Sequence, residues 1–263
     1  MFKKIIMAMI ICLPLSAQAT SIELNFGDTV NNNFGASATN LVMNYSNVSS
    51  YNDVVINASI TATSVFDSKN GTKNGSVAND IRINMDRGDA NVFTLSLWDA
   101  SKGNGFDTLF TASEDFDWTL GFYDIDGASN SFDVVTLFDI NQYSVTSTTA
   151  LVVDNSQSNQ ISFSGVNAKG DVKGQDGLGA FITQQQADVA LFVTYQNLSE
   201  VTFAYEHGPA SKDNSGRNLL IDGGGLKFAP KDGEVVVTVP TPNMFLLFAT
   251  AMLALLTVKR KSS

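Results

Sequence analysis

Between residues 20 and 238 the apolar positions recur at every second residue wherever the chain is hydrophobic, which is the period of a half-buried strand and not of a helix. The runs DIRINM (80–85), VFTLSLWD (92–99), DWTLGFYDID (117–126), DVALFVTY (188–195) and EVTFAYEH (200–207) carry this alternation most clearly. In VTFAY, Val201, Phe203 and Tyr205 share one face while Thr202 and Ala204 share the other. Further strands are predicted over 21–26, 53–65, 132–140, 143–153, 160–164 and 217–228, which gives ten to twelve in all. Loops rich in Asn, Gly, Ser and Asp separate them, such as DSKNGTKNGSVAN (67–79) and NAKGDVKGQDGLG (167–179).

One short helix is predicted around 183–188, where TQQQAD breaks the alternation. No long amphipathic helix separates the strands, so parallel crossover units are excluded and the predicted fold is all-β. The architecture expected is a two-sheet antiparallel β-sandwich, jelly-roll or lectin-like, occupying 20–229 as one domain. No fixed-period repeat marks a propeller or a β-helix. The segment 230–242, PKDGEVVVTVPTP, reads as a linker that can hold a last strand.

Both ends depart from this pattern, and a short hydrophobic helix is expected at each. Lys3 and Lys4, an apolar run from Ile5 to Leu15 and the small-x-small site Ala17-Gln18-Ala19 make 1–19 a secretory signal peptide. At the other end, residues 243–263 form a hydrophobic segment with a basic terminus. The uncharged stretch 244–258 would cover roughly 22 Å as a helix, against a hydrocarbon core of about 30 Å. Lys259, Arg260 and Lys261 follow at once and keep that end in the cytoplasm.

Val239-Pro240-Thr241-Pro242, the apolar helix and Lys259-Arg260-Lys261 together resemble the PEP-CTERM sorting signal of Gram-negative bacteria, with Thr241 where the usual signal has Glu. The resemblance covers the last twenty-five residues or so. It implies an exosortase-type processing enzyme as partner, transient anchoring in the inner membrane, and a final place at the cell surface or in the extracellular matrix. It implies nothing about catalysis.

Charge and cysteine usage narrow the partners. All 26 acidic residues lie between the two ends, against 11 of the 16 basic ones, so the body carries a formal charge of −15. Nucleic acid is therefore excluded as a partner. Cys12, the only cysteine, leaves with the signal peptide, so neither disulfides nor thiolate chemistry is available.

The strongest candidate chemistry is FYDIDGASNSFDVV, 122–135. Continued as a strand, it would place Asp124 and Asp126 on one face about 7 Å apart. Asp133 would stand at the start of the returning strand. Three carboxylates around one turn repel one another unless neutralised, and calcium is the hard cation that several oxygen ligands would suit. The spacing is not an EF-hand, because Ala128 occupies the third ligand position. Trp98 and Trp118 are secondary candidates for stacking on sugar rings, because each lies in an alternating apolar strand, which favours a place in the core. His207, the only histidine, has no G-x-S-x-G elbow to serve, and Ser211 and Ser215 show nothing that would activate them. Glu200 and Glu206 flank one strand about 20 Å apart, too far for a glycosidase pair.

The reading expected from these features is an exported, non-enzymatic surface or exopolysaccharide-matrix protein that binds through loops at one end of its sandwich. A calcium-assisted carbohydrate-binding module and a secreted polysaccharide hydrolase or lyase are the alternatives the residues leave open.

Overall fold

The computed structural model describes residues 20–35, 38–86, 88–140, 142–170, 182–208, 216–224 and 234–238. The expected signal peptide, 1–19, and the expected sorting residues, 239–242 and 259–261, lie outside them.

Alternating burial organises the described residues into two sheets, in which every strand pairing but one is antiparallel. Strands are numbered along the chain. The first sheet runs in space from β17 (Glu234–Thr238) through β11 (Gln142–Thr146), β14 (Leu191–Gln196), β8 (Phe116–Tyr123), β16 (Arg217–Asp222) and β6 (Asp80–Met85) to β5 (Gly75–Val77). The short β1 (Thr20–Ile22) lies parallel to the start of β8. The second sheet runs through β12 (Val152–Asp154), β13 (Gln160–Ser164), β10 (Ser131–Phe138), β15 (Glu200–His207), β7 (Ala90–Asp99), β4 (Val54–Ala62), β3 (Leu41–Tyr51) and β2 (Thr29–Asn32). The two-residue β9 (Gly127–Ala128) folds back on β10 as a hairpin.

The inward faces of these sheets meet in one aromatic core. Phe203 of β15 stacks on Phe93 of β7 at 5.3 Å and meets Phe122 of the opposite sheet edge-on at 5.1 Å, so the ring chain crosses between the layers. Phe34 and Phe66 extend it from Phe93 at 6.2 and 6.0 Å. Each ring is fully buried, and offset or edge-on aromatic pairs add to what burial alone contributes.

The expected sandwich is present, and the short helix falls within its predicted window as α1 (Gln184–Ala187). Its start is fixed by Thr183, whose hydroxyl accepts from the Gln186 backbone while the Gln186 side chain returns a bond to Thr183. The possible last strand is β17, paired with β11 over five residues. Two expectations are corrected. The strand predicted over 143–153 is two strands in different sheets, β11 and β12, because the chain turns where the Thr149 N–H donates to the Thr146 carbonyl at 3.1 Å. The strand predicted over 117–126 stops at Tyr123, because Asp124 takes φ +68°, a left-handed conformation that ends the extended run.

Candidate functional site

That early stop shapes one end of the sandwich. After Asp124 the chain returns Ile125 to the core, and Gly127 at φ +149° allows the tight β9–β10 hairpin. A Cβ on Gly127 would stand 2.4 Å from both Phe132 Cα and Ser131 O, so the turn closes only over glycine. The start of β10, the end of β15 and the start of β16 converge on this hairpin.

Period two then points four polar side chains inward at the ends of β10 and β15: Ser131, Asp133, Tyr205 and His207. Asp133 is 1% exposed and His207 2%. Asp133 Oδ1 accepts the Tyr205 hydroxyl at 3.0 Å and faces His207 Nδ1 at 3.2 Å, while His207 Nε2 lies 3.0 Å from Ser131 Oγ. With Oδ1 accepting, Nδ1 is the nitrogen that donates, and a neutral ring would then accept the Ser131 hydroxyl at Nε2. Burial first, then the field of Asp133 and its hydrogen bond, push the Tyr205 phenol well above its ordinary pKa, so it remains a donor.

Arg217 opens β16 in the other sheet and reaches across to this cluster. Its Nη1 donates to Asp126 Oδ1 at 3.2 Å, and Asp126 Oδ2 accepts the Gly170 N–H at 3.3 Å. Burial lowers the guanidinium pKa, but Asp133 and Asp126 more than offset that, and the net direction is upward. Burial also lifts the Asp126 carboxyl above the usual carboxylate range, against the pull of Arg217. Asp124 lies near enough for its charge to act on both Tyr205 and Arg217.

The structure therefore places Asp124, Asp126 and Asp133 near one end of the sandwich, with protein donors beside Asp126 and Asp133. Among the described residues no three His, Cys, Asp or Glu side chains form a cage for a metal ion. Arg217 supplies the opposite charge, and Tyr205 and His207 supply hydrogen-bond donors, all from some 70 to 90 residues away along the chain. Once Asp133 turns inward to protein donors, it no longer shares a ligand position with Asp126.

The tryptophans separate. Trp118 is fully buried on the inward face of β8, against Tyr195 at 5.0 Å, and its Nε1 donates to the Leu198 carbonyl at 2.8 Å. A ring sealed in the core cannot serve as a sugar platform. Trp98 is half-buried on the outer face of β7, where its Nε1 donates to Ser59 Oγ at 2.8 Å, away from the carboxylate cluster.

Ser131, His207 and Asp133 have the connectivity of a hydrolase triad, which sequence reasoning missed by looking for the serine only downstream of His207. The serine is nonetheless 5% exposed, inside the sandwich, and the acidic member shares its oxygen with Tyr205. The chain of bonds ties β10 to β15.

Outside this buried network lies an open hollow of about 620 Å³, lined by Asp126, Lys169, Gln185 and Arg217 together with the backbone at Gly127 and Gly170. Its size is within the usual range for small-ligand sites, roughly 300–1,000 Å³. It offers a carboxylate acceptor, an amide that both donates and accepts, and two cationic donors within one concave surface.

No protein-family model matches the chain, and no curated protein matches it. Among solved structures it is similar to the N-terminal domain of the Streptococcus gordonii adhesin Sgo0707, with 11% identity over 73% of this chain and 50% of that one and a TM-score of 0.43. It is similar also to the adhesin domain of PrgB from Enterococcus faecalis, with 12% identity, coverages of 70% and 63% and a TM-score of 0.43. The glucan binding protein C of Streptococcus mutans follows with 15% identity, coverages of 69% and 57% and a TM-score of 0.39. This chain spans half to just under two thirds of those structures, and likeness of this degree assigns no residue a role.

Proposed function

We propose that this chain is an exported, non-enzymatic component of the cell surface or exopolysaccharide matrix, and that it holds saccharide at the Asp126–Arg217 end of its sandwich. The observation that supports this reading is the open hollow beside a rigid polar network. Saccharide hydroxyls both donate and accept, and paired acidic, amide and guanidinium groups on a fixed scaffold meet them without large ordering costs. The burial of Ser131, 5% exposed, supports binding over turnover.

The purified protein is expected to retard in gels cast with a polysaccharide it binds. Replacing Lys169 and Gln185 together by alanine should weaken that binding roughly fivefold or more, the worth of about one hydrogen bond to a charged or polar donor. Both residues lie at the rim of the hollow, so the melting temperature should hold. Unchanged affinity in this variant would move the ligand elsewhere.

Sorting is assigned to the tail through its PEP-CTERM resemblance, with an exosortase-type enzyme as partner and the inner membrane as a temporary station. In cells lacking that enzyme, the full-length chain should accumulate in the inner-membrane fraction with its C-terminus intact. Normal surface delivery in such cells would remove exosortase from the pathway.

A further inference from the structure

We infer that a second saccharide site occupies the opposite end of the sandwich, in the hollow between the β12–β13 loop and the edge formed by β11 and β17, and that its ligand is a neutral hexose glycan. β13 begins at Gln160 beside this hollow and ends at Ser164 opposite Val134, on the side of the Asp126 cluster, so the two hollows lie at opposite ends of the same strands.

The lining is distinctive in what it contains. Six consecutive residues from Asn155 to Gln160 supply only amides and hydroxyls, over walls made by Ile140, Tyr143, Ile161 and Val237. Among the described residues none that lines it carries a formal charge, in a chain whose net charge is −10. The volume is about 330 Å³, at the small end of the range for ligand sites.

The physical match is to a polyol with an apolar ring face. Amide side chains each present two donors and an acceptor, which suits hydroxyls that do both. The apolar walls accept the C–H faces of a sugar ring, and a neutral ligand entering a charge-free lining incurs none of the penalty of desolvating an ion. An anionic glycan would find no counter-charge there.

The loop is also pre-formed. Asp154 Oδ1 accepts the Ser156 N–H at 2.9 Å, and at the far end the Asp139 N–H donates to the Asn159 carbonyl at 3.1 Å, with Asn159 held at φ +66°. Tyr143 is fixed edge-on against Phe163 at 4.9 Å, and burial raises its pKa, so it stays a neutral phenol. Groups ordered beforehand lose less entropy on binding. With a site at each end, one protein could bridge two glycan strands, which gains avidity without new contacts.

The test titrates the full-length protein with dextran, mannan and galactan oligosaccharides by calorimetry, in low and high salt, with alginate as the anionic comparison. At least one neutral glycan is expected to bind equally in both salts, since no charge in the lining is there to be screened. Asn155→Ala with Gln157→Ala should weaken it roughly tenfold, the loss of about two neutral hydrogen bonds. Both residues are exposed, so the fold should survive, and a melt verifies that. The Lys169→Ala with Gln185→Ala variant should weaken only binding at the first hollow and leave unchanged the salt-independent neutral-glycan component that the Asn155 and Gln157 variant weakens. The inference is overturned if none of the three neutral glycans binds, if the Asn155 and Gln157 variant keeps full affinity, or if only the Lys169 and Gln185 variant loses binding. In that last case the reading under the proposed function stands and the second site falls.

Discussion

Replacing Asp133 by alanine is expected to lower the free energy of unfolding by about 3–5 kcal/mol, because it leaves two buried donors unsatisfied, at about 1–3 kcal/mol each, and removes a charge that stabilises the partly buried Arg217. Asp133 is 1% exposed, and its Oδ1 faces both the Tyr205 hydroxyl and His207 Nδ1. Its charge is also the largest single influence raising the Arg217 pKa. Without it, a phenol and an imidazole N–H face the interior with no acceptor, and Arg217 keeps only Asp126 and Asp124 as nearby counter-charges. Asp133→Asn retains an acceptor oxygen and loses the charge, so about 1–2 kcal/mol is expected, and Ser131→Ala, at the far end of the chain of bonds, about 1 kcal/mol. Urea unfolding of the three variants should follow that order. A loss under about 1 kcal/mol for Asp133→Ala would mean that this cluster does not hold the two strands together.

The inward burial of that cluster was partly legible. Val201, Phe203 and Tyr205 alternate in the sequence and all face the core, and His207 continues the same parity, so its burial follows from period two alone. Asp133 likewise shares parity with Val135 and Leu137, which marks a carboxylate at an inward position. What the sequence could not supply is the partner, because Arg217 reaches Asp126 from 91 residues away and in the other sheet. Calcium was the expectation for three local carboxylates, and the partners the structure places beside Asp126 and Asp133 are long-range protein donors. β3 was missed for a different reason. After Val42 its outward positions up to the bulge are Asn and Ser, and Asn47 at φ +51° lies in a bulge that shifts the register against β4 between Tyr45 and Ser49, so alternation is lost within the strand. Trp118 shows the opposite case. An apolar alternating strand predicted a core ring, and the ring is in the core.

Phe93→Ala is expected to cost about 3–5 kcal/mol, as large-to-small aromatic substitutions in packed cores do. Phe93 is fully buried at the centre of its sheet, where β7 pairs with β4 on one side and β15 on the other. Its ring contacts Phe34, Phe66 and Phe203, and through Phe203 it is coupled to Phe122 across the sandwich. Truncation removes the burial of one ring and three aromatic contacts together. The surrounding rings are anchored on hydrogen-bonded strands or by their own packing, so the cavity can collapse only in part, and the cost exceeds what transfer alone predicts. Val92, the preceding residue, faces outward and is half-buried. Val92→Ala should therefore cost less than about 1 kcal/mol, by the ordinary range for surface strand positions. Equal losses at positions 92 and 93 in urea unfolding would contradict the inward and outward assignment of β7, and with it the placing of the aromatic chain that joins the two sheets.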